Sequence, residues 1–386
     1  MQTRWFKWLL IATVICCFSL VTTTVSAKKP IKPPVDPCET SEADFPSFMF
    51  WRNNNTANNP EFTIYLASED GACIRALVDV PESTNAWTWD SSFGYDHENN
   101  HGYVVWAKGG WGDDASEIWL QEFTVDGNTI DPPPGPELIL DTDYSNTFSK
   151  AADLDISADL QYLAFIFHQG YNDDDAQPSE THVVDIENCR SPYPPCVPSE
   201  DTLVLRESEG SFPNDIIANW GNIAWGPLDK RIYIRMFHGD PLGDNQWGVH
   251  MITLKEGSWT GERTIEDKEL FTDDVYPEYE GVFRLASFVS ADGEKLAFRH
   301  YGECLTISVI DVAACEAGSC EAEAQFFGTN PSWTDRGTII HEIVERVKTH
   351  PRKEIYDCVS SDFVGEWDPV SSEITTLAEG ENPDAG

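Results

Sequence analysis

An all-β fold is what this sequence predicts, and three observations predict it. Short runs rich in Val, Ile, Tyr and Trp alternate with clusters of Gly, Asp, Asn and Pro, helical periodicity is scarce, and several of the runs resemble one another. The 386 residues are 41% hydrophobic and 12% aromatic, so a sizeable core is available and the chain does not read as a disordered acidic polymer.

Taken in order, residues 1–27 read as a signal peptide. Arg4 and Lys7 form a positive n-region, Leu9–Val21 an apolar stretch too short for a membrane span, and Val25-Ser26-Ala27 a small-residue cleavage site. Export to the periplasm or the extracellular space follows. Residues 28–44 begin Lys/Pro-rich and read as an N-terminal extension, and residues 45–386 as a single domain.

Within that domain one unit recurs. Ser290-Ala291-Asp292-Gly293 is a turn, Glu294–Phe298 an alternating strand, and Thr306–Asp311 a further strand. The same order runs from Ser157–Phe165 to His182–Asp185, from Gly226–Ile234 to Val249–Ile252, and from Ser332–Ile340 to Glu354–Tyr356. A looser copy joins Ala86–Asp90 and Gly102–Trp106 to Glu117–Leu120. At the start, Phe48–Trp51 and Thr63–Gly71 supply the inner and outer parts of another. About six units at spacings of roughly 45 to 70 residues predict a β-propeller of six four-stranded blades, with seven as the alternative. The tail Glu381-Asn382-Pro383 resembles Thr329-Asn330-Pro331 and is expected to supply an inner strand to the first blade. Ile339, Ile343, Val344 and Val347 also fall at helical spacing, but the repeat favours a strand over residues 338–348.

The pattern strand, Ser-x-Asp-Gly, strand, loop, Ile-Tyr-Leu-x-x-x-Asp-Gly resembles the TolB-type, WD40-like (PD40) propeller repeat of bacterial exported proteins. It is clearest at Ser290–Asp311 and Ile64–Leu77 and covers nearly the whole chain after the leader. The resemblance implies an exported propeller, without the α/β domain that precedes the propeller in TolB itself.

Beyond the leader stand Cys38, Cys73, Cys189, Cys196, Cys304, Cys315, Cys320 and Cys358, an even set that predicts disulfides in an exported chain. Cys189 with Cys196 and Cys315 with Cys320 lie at equivalent places, where a third strand turns into a fourth. Each pair would staple a short loop. The remainder pair by elimination as Cys38 with Cys73 and Cys304 with Cys358, the latter joining the last two blades.

With 25 Lys+Arg against 66 Asp+Glu the formal charge is -41, and losing Arg4 and Lys7 with the leader makes it -43. Such a surface repels nucleic acid and anionic membranes, and it reads as a hydrated coat over the loops. His97-Glu98-Asn99-Asn100-His101 fits the metalloprotease pattern HExxH. That chemistry needs both histidines one turn apart on a helix, whereas Asn-Asn followed by Gly102 predicts a loop. His97 and His101 remain candidates for a peripheral metal site. Acidic runs, foremost Asp173, Asp174 and Asp175, offer the hard oxygens that Ca²⁺ takes, so calcium is the cofactor the composition would admit.

Of 14 Trp, Trp87, Trp89, Trp106, Trp111, Trp220, Trp225 and Trp247 concentrate in the second and fourth units, and Trp87, Trp89, Trp111 and Trp247 are the candidates for stacking a glycan, against the alternative of packing between blades. Neither GxSxG, P-loop nor GxGxxG is present, so no catalytic residue is assigned. The expected function is a non-catalytic binding or scaffold module for a protein or glycan partner. Its surface is sought in the axial funnel and in the insertions at 94–101, 109–116, 168–181 and 238–247. The alternatives are a carbohydrate-active hydrolase or lyase with a Trp-lined axial site, and a calcium-dependent adhesion module.

Overall fold

A computed structural model describes residues 36–41, 43–53, 61–81, 86–108, 117–131, 134–141, 149–169, 180–206, 223–226, 230–239, 245–272, 275–279, 289–301, 304–334, 336–348, 356–379 and 381–384. The chain divides into a unit of residues 1–40 and a unit of residues 41–386. In the first, the described residues form one short helix, α1 (Pro37–Thr40), with the Cys38 N–H donating to Asp36 Oδ1 at 3.0 Å.

The second unit consists of antiparallel sheets. The first sheet orders β23 (Glu381–Asp384), β1 (Phe48–Asn53), β2 (Glu61–Ala67) and β3 (Ile74–Pro81). In the second, β4 (Ala86–Asp96), β5 (His101–Lys108) and β6 (Glu117–Asp126) lead to β8 (Glu137–Asp141), with β7 (Thr129–Ile130) pairing the end of β6. The third orders β9 (Ser149–Ile156), β10 (Tyr162–Gln169), β11 (Glu180–Asp185) and β12 (Leu203–Arg206), and the fourth β13 (Ile223–Trp225), β14 (Arg231–Gly239), β15 (Asn245–Gly257) and β16 (Arg263–Thr272). A six-stranded sheet follows: β17 (Lys295–Tyr301), β18 (Leu305–Asp311), β19 (Ala322–Trp333), β20 (Ile339–Lys348), β21 (Tyr356–Trp367) and β22 (Ile374–Glu379).

That last sheet contains two ladders that share one long strand. Residues 322–327 of β19 pair with β18, and the same strand from Gly328 to Trp333 pairs with β20. Gly328 sits at the changeover because nothing larger fits: a Cβ there would lie 2.5 Å from His341 Nδ1 and 2.7 Å from Ile307 Cδ1. Residues 339–348 are a strand, β20, paired on both sides, so ladder bonds override the helical spacing of their apolar residues.

Successive residues of a strand point to opposite faces, and here each face packs on a neighbouring sheet. Leu163 and Phe165 of β10 meet Val105, Ile118 and Leu120 of the second sheet, while Ala164 and Ile166 of the same strand meet Ile223, Ile232 and Ile252 of the fourth. Tyr233, Val249 and Phe271 pack on Leu296, Phe298 and Ile310; Ala297, Ile307 and Val309 on Trp333, Ile339 and Trp367. Finally Ile340, Val364 and Ala378 meet Phe48, Phe50 and Ala67, so the last sheet returns to the first. A ring of face-packed antiparallel sheets is a β-propeller. Each fully buried Leu, Ile or Phe in these seams contributes about 1.5–3 kcal/mol.

The ring closes through the C-terminal segment. β23 pairs with β1 through Met49↔Asp384 and Trp51↔Glu381, so it is β23, and not Phe48–Trp51, that takes the innermost place of the first sheet. Disulfides join Cys189 to Cys196, Cys304 to Cys358 and Cys315 to Cys320, and Cys38 and Cys73 are disulfide-bonded as well. Cys304–Cys358 ties the β17–β18 connection to β21. The Cys189–Cys196 loop does more than staple a hairpin, because Cys196 also exchanges backbone hydrogen bonds with Ile139 and Asp141 of the second sheet. Among the described residues no helix is long and apolar enough to cross a membrane.

Candidate functional site

The recurring Ser-x-Asp turn is a closed hydrogen-bond motif, which is why it survives as a repeat. Ser290 Oγ donates to Asp292 Oδ1 at 2.6 Å and accepts from the Lys295 N–H at 2.9 Å, while Asp292 Oδ1 also accepts from the Glu294 N–H at 3.0 Å. The same three bonds recur at Ser157, Asp159, Gln161 and Tyr162, and at Ser68, Asp70, Ala72 and Cys73. The hydrogen bond from Ser290 holds the Asp292 carboxyl below its ordinary range. The fourth residue adopts positive φ, 74° at Gly293 and 66° at Gly71, which glycine permits at no steric cost. Leu160 takes the same conformation at 61° in the remaining copy.

These turns converge on one cavity of about 380 Å³. Its wall draws Ser47 from the first sheet, Phe93, Gly94 and Tyr95 from the second, Ile156 and Ser157 from the third, and Trp225 and Gly226 from the fourth. Val289 and Ser290 precede β17, and Trp333 ends β19 with Thr334 next to it. The middle residue of each Ser-x-Asp turn also lines it, as Glu69, Ala158 and Ala291. Innermost strands meet there, so the cavity is the axial opening of the ring on the face carrying these turns.

Two buried carboxylates pin the strands around it. Asp155 Oδ1 accepts from Ser92 Oγ at 2.9 Å and Oδ2 from the Trp225 N–H at 2.6 Å, linking the second, third and fourth sheets. Asp384 repeats the arrangement: Oδ1 accepts from Ser332 Oγ at 3.1 Å and Oδ2 from the Phe93 N–H at 2.7 Å. Both are almost wholly buried. Burial and the neighbouring Asp384 charge push the Asp155 carboxyl well above its ordinary range. The acidity is therefore not all coat: Asp155, Asp384 and Glu69 lie inside.

Glu69 is 4% exposed. It pairs through Oε2 with Arg336, which reaches over it from the turn after β19, while Oε1 is buried without a hydrogen-bond partner. Burial raises its pKa, Arg336 opposes that rise, and Glu366 and Asp44 add to it. The indole Nε1 of Trp333 is likewise buried without a partner, whereas Nε1 of Trp225 donates to the Asp155 carbonyl at 2.9 Å. The wall hydroxyls of Ser157 and Ser290 are committed to their own turns, which leaves them poor nucleophiles.

The sequence candidates are distributed otherwise. Residues 97–100 form the turn between β4 and β5, not a helix, capped by Asp96, which accepts from the backbone N–H groups of Glu98 and Asn99. His97 is exposed at the cavity rim. His101 lies on β5 with Nε2 2.8 Å from Glu122, and Glu122 is held at 2.5 Å by Arg190. His97 meets the Tyr95 ring edge-on while His101 faces Glu122, and among the described residues no group of three or more His, Cys, Asp or Glu could hold a metal ion.

Asp173, Asp174, Asp175 and Trp111 lie outside the described residues. Trp87, Trp89 and Trp247 are placed on β4 and β15 by backbone alone. Trp225 belongs to the Trp-rich clusters noted in the sequence, whereas Trp333, Glu69 and Arg336 were not among the sequence candidates. The usable signal was the middle position of the Ser-x-Asp turns, where Glu69 replaces the alanine of the other two copies.

No protein-family model matches the chain, and no curated protein matches it. Among solved structures it is similar to a puromycin hydrolase S511A mutant (TM-score 0.48, 10% identity, 91% of this chain and 50% of that one). It is also similar to the β-propeller domain of the Trilobed protease from Pyrococcus furiosus (TM-score 0.40, 12% identity, 86% and 81%). A third likeness is to the periplasmic gluconolactonase of Pseudomonas aeruginosa (TM-score 0.42, 14% identity, 87% and 97%). The chain spans about half the length of the puromycin hydrolase. The propeller architecture rests on the ladders and seams of the molecule itself.

Proposed function

We propose that this chain is an exported, non-catalytic propeller with TolB-type repeats, in six blades, that binds a protein or glycan partner at its axial cavity. The observation that carries the reading is convergence: turns from every sheet in the ring border one cavity, while the wall hydroxyls serve turn geometry instead of a catalytic pair. A fold does not assign an activity, so the site must carry the argument. Residues 1–27 would direct export, and oxidised cysteines at all eight positions after the leader fit an oxidising compartment.

Ala291 lines the cavity from an exposed turn, so Ala291→Trp should block the opening without disturbing a seam. Thermal-shift screening of the full chain against short peptides and oligosaccharides should yield binders that this variant loses. Turnover of a peptide, lactone or glycoside substrate that disappears in Ala291→Trp would overturn the non-catalytic reading.

A further inference from the structure

We propose that the axial cavity takes the ammonium end of a primary amine, seated at Glu69 beside Arg336. The inference rests on the axial-binding reading and names the ligand class. Glu69 is the only acidic residue among the middle positions of the three Ser-x-Asp turns that border the cavity, and it is nearly completely buried there. A buried carboxylate oxygen without a hydrogen bond leaves a desolvation cost uncompensated unless a donor arrives. Arg336 satisfies only the other oxygen.

Charge points the same way. Asp44 and Glu366 both act on Glu69 against the opposing guanidinium of Arg336, so further positive charge beside Glu69 is favoured. A ligand cation would supply it. An ammonium group carries three donors and no acceptor, which suits acceptors that are already in excess. The aromatic wall of Phe93, Tyr95, Trp225 and Trp333 would receive the alkyl stem of such a ligand, and ring faces attract cations. The net charge of -41 would raise the local concentration of any amine. Arg336 is 58% exposed at its side chain, so it can swing toward solvent as the amine enters.

Isothermal titration calorimetry on the full chain, with putrescine and with neutral butanediol as probes, tests this. Putrescine should bind and butanediol should not. Glu69→Gln should weaken putrescine by about tenfold or more, the worth of a hydrogen bond to a charged group. Arg336→Gln should tighten it, because the internal competitor for Glu69 is gone, and Ala291→Trp should abolish it. Should Glu69→Gln fail to fold, the surface variant Arg336→Gln still decides the point.

Equal binding of butanediol, no putrescine binding, or putrescine binding that ignores both Glu69→Gln and Ala291→Trp would overturn the amine assignment. In the last case the acidic coat alone is the receptor. If a neutral peptide or saccharide binds and is lost in Ala291→Trp while putrescine does not bind, the axial site stands and only the ligand class falls.

Discussion

His341 should make the protein acid-sensitive to a calculable degree. It lies on β20 with no exposed surface, its Nδ1 within 2.9 Å of the Glu342 carbonyl, so Nδ1 carries the hydrogen and Nε2 is buried without a partner. Burial pushes its pKa down to about 4 from an ordinary 6.5. The folded state therefore holds the neutral ring, and the unfolded state binds a proton first as pH falls. The stabilisation is complete above about pH 6.5 and declines as pH drops toward 4. With 1.36 kcal/mol per pKa unit, the loss is about 2 kcal/mol at pH 5 and about 3 kcal/mol at pH 4. Asp155 acts in the opposite sense, since its raised pKa favours the folded state at low pH, so the comparison must be between variants.

His341→Asn can keep a donor near Nδ1 and removes the titration. Urea unfolding followed by Trp fluorescence at pH 7 and pH 5 gives the two slopes. The variant is less stable at pH 7, but its stability should fall by about 2 kcal/mol less than wild type between the two pH values. Parallel slopes would refute the buried neutral histidine.

Three further outcomes follow from the same geometry. Replacing Cys304 and Cys358 by Ala reopens a loop of sequence separation 54 and should cost about 4 kcal/mol in the chain-entropy account; removing Cys315–Cys320, separation 5, should cost about 2 kcal/mol. Denaturant titration of both double variants tests the ranking. Gly293→Ala places a Cβ at φ 74° and should cost about 1 kcal/mol in the same assay, with Ala291→Gly as a control that leaves the positive-φ position untouched. Asp384→Ala leaves the Phe93 N–H and the Ser332 hydroxyl without their acceptor and should destabilise by about 2–3 kcal/mol, visible as faster proteolysis near the C-terminus.

The fold was legible because its unit is local. Ser290, Asp292 and Gly293 close their turn within six residues, and that economy leaves a pattern at Ser157 and Ser68 that can be read without any contact map. Closure was legible for the same reason, since Glu381-Asn382-Pro383 repeats an inner-strand lead-in. The cavity was not. Glu69 and Arg336 are 267 positions apart in number, and Asp384 and Phe93 are 291 apart, so only the ring brings them together. HExxH drew attention because its letters match a helix motif, yet Asn100 sits at φ 52° in a turn and His101 serves a strand-borne ion-pair network. Trp candidates chosen by density in the sequence missed Trp333, which is set by its position at the end of β19.

The two carboxylate clips explain why so acidic a chain keeps acids at its axis. Each joins strands of three consecutive sheets by accepting from a backbone N–H on one side and a serine on the other, which a hydroxyl or amide could do only in part. Like charges so placed repel, and burial together with the Asp384 charge raises the pKa of Asp155, which favours its neutral form. The ring thus carries a stabilising element whose charge state depends on pH beside a cavity where Arg336 pairs with only one oxygen of Glu69. A cation bound at Glu69 would lower the repulsion felt by the whole cluster, so ligand binding and ring stability should be coupled through electrostatics without any strand having to move.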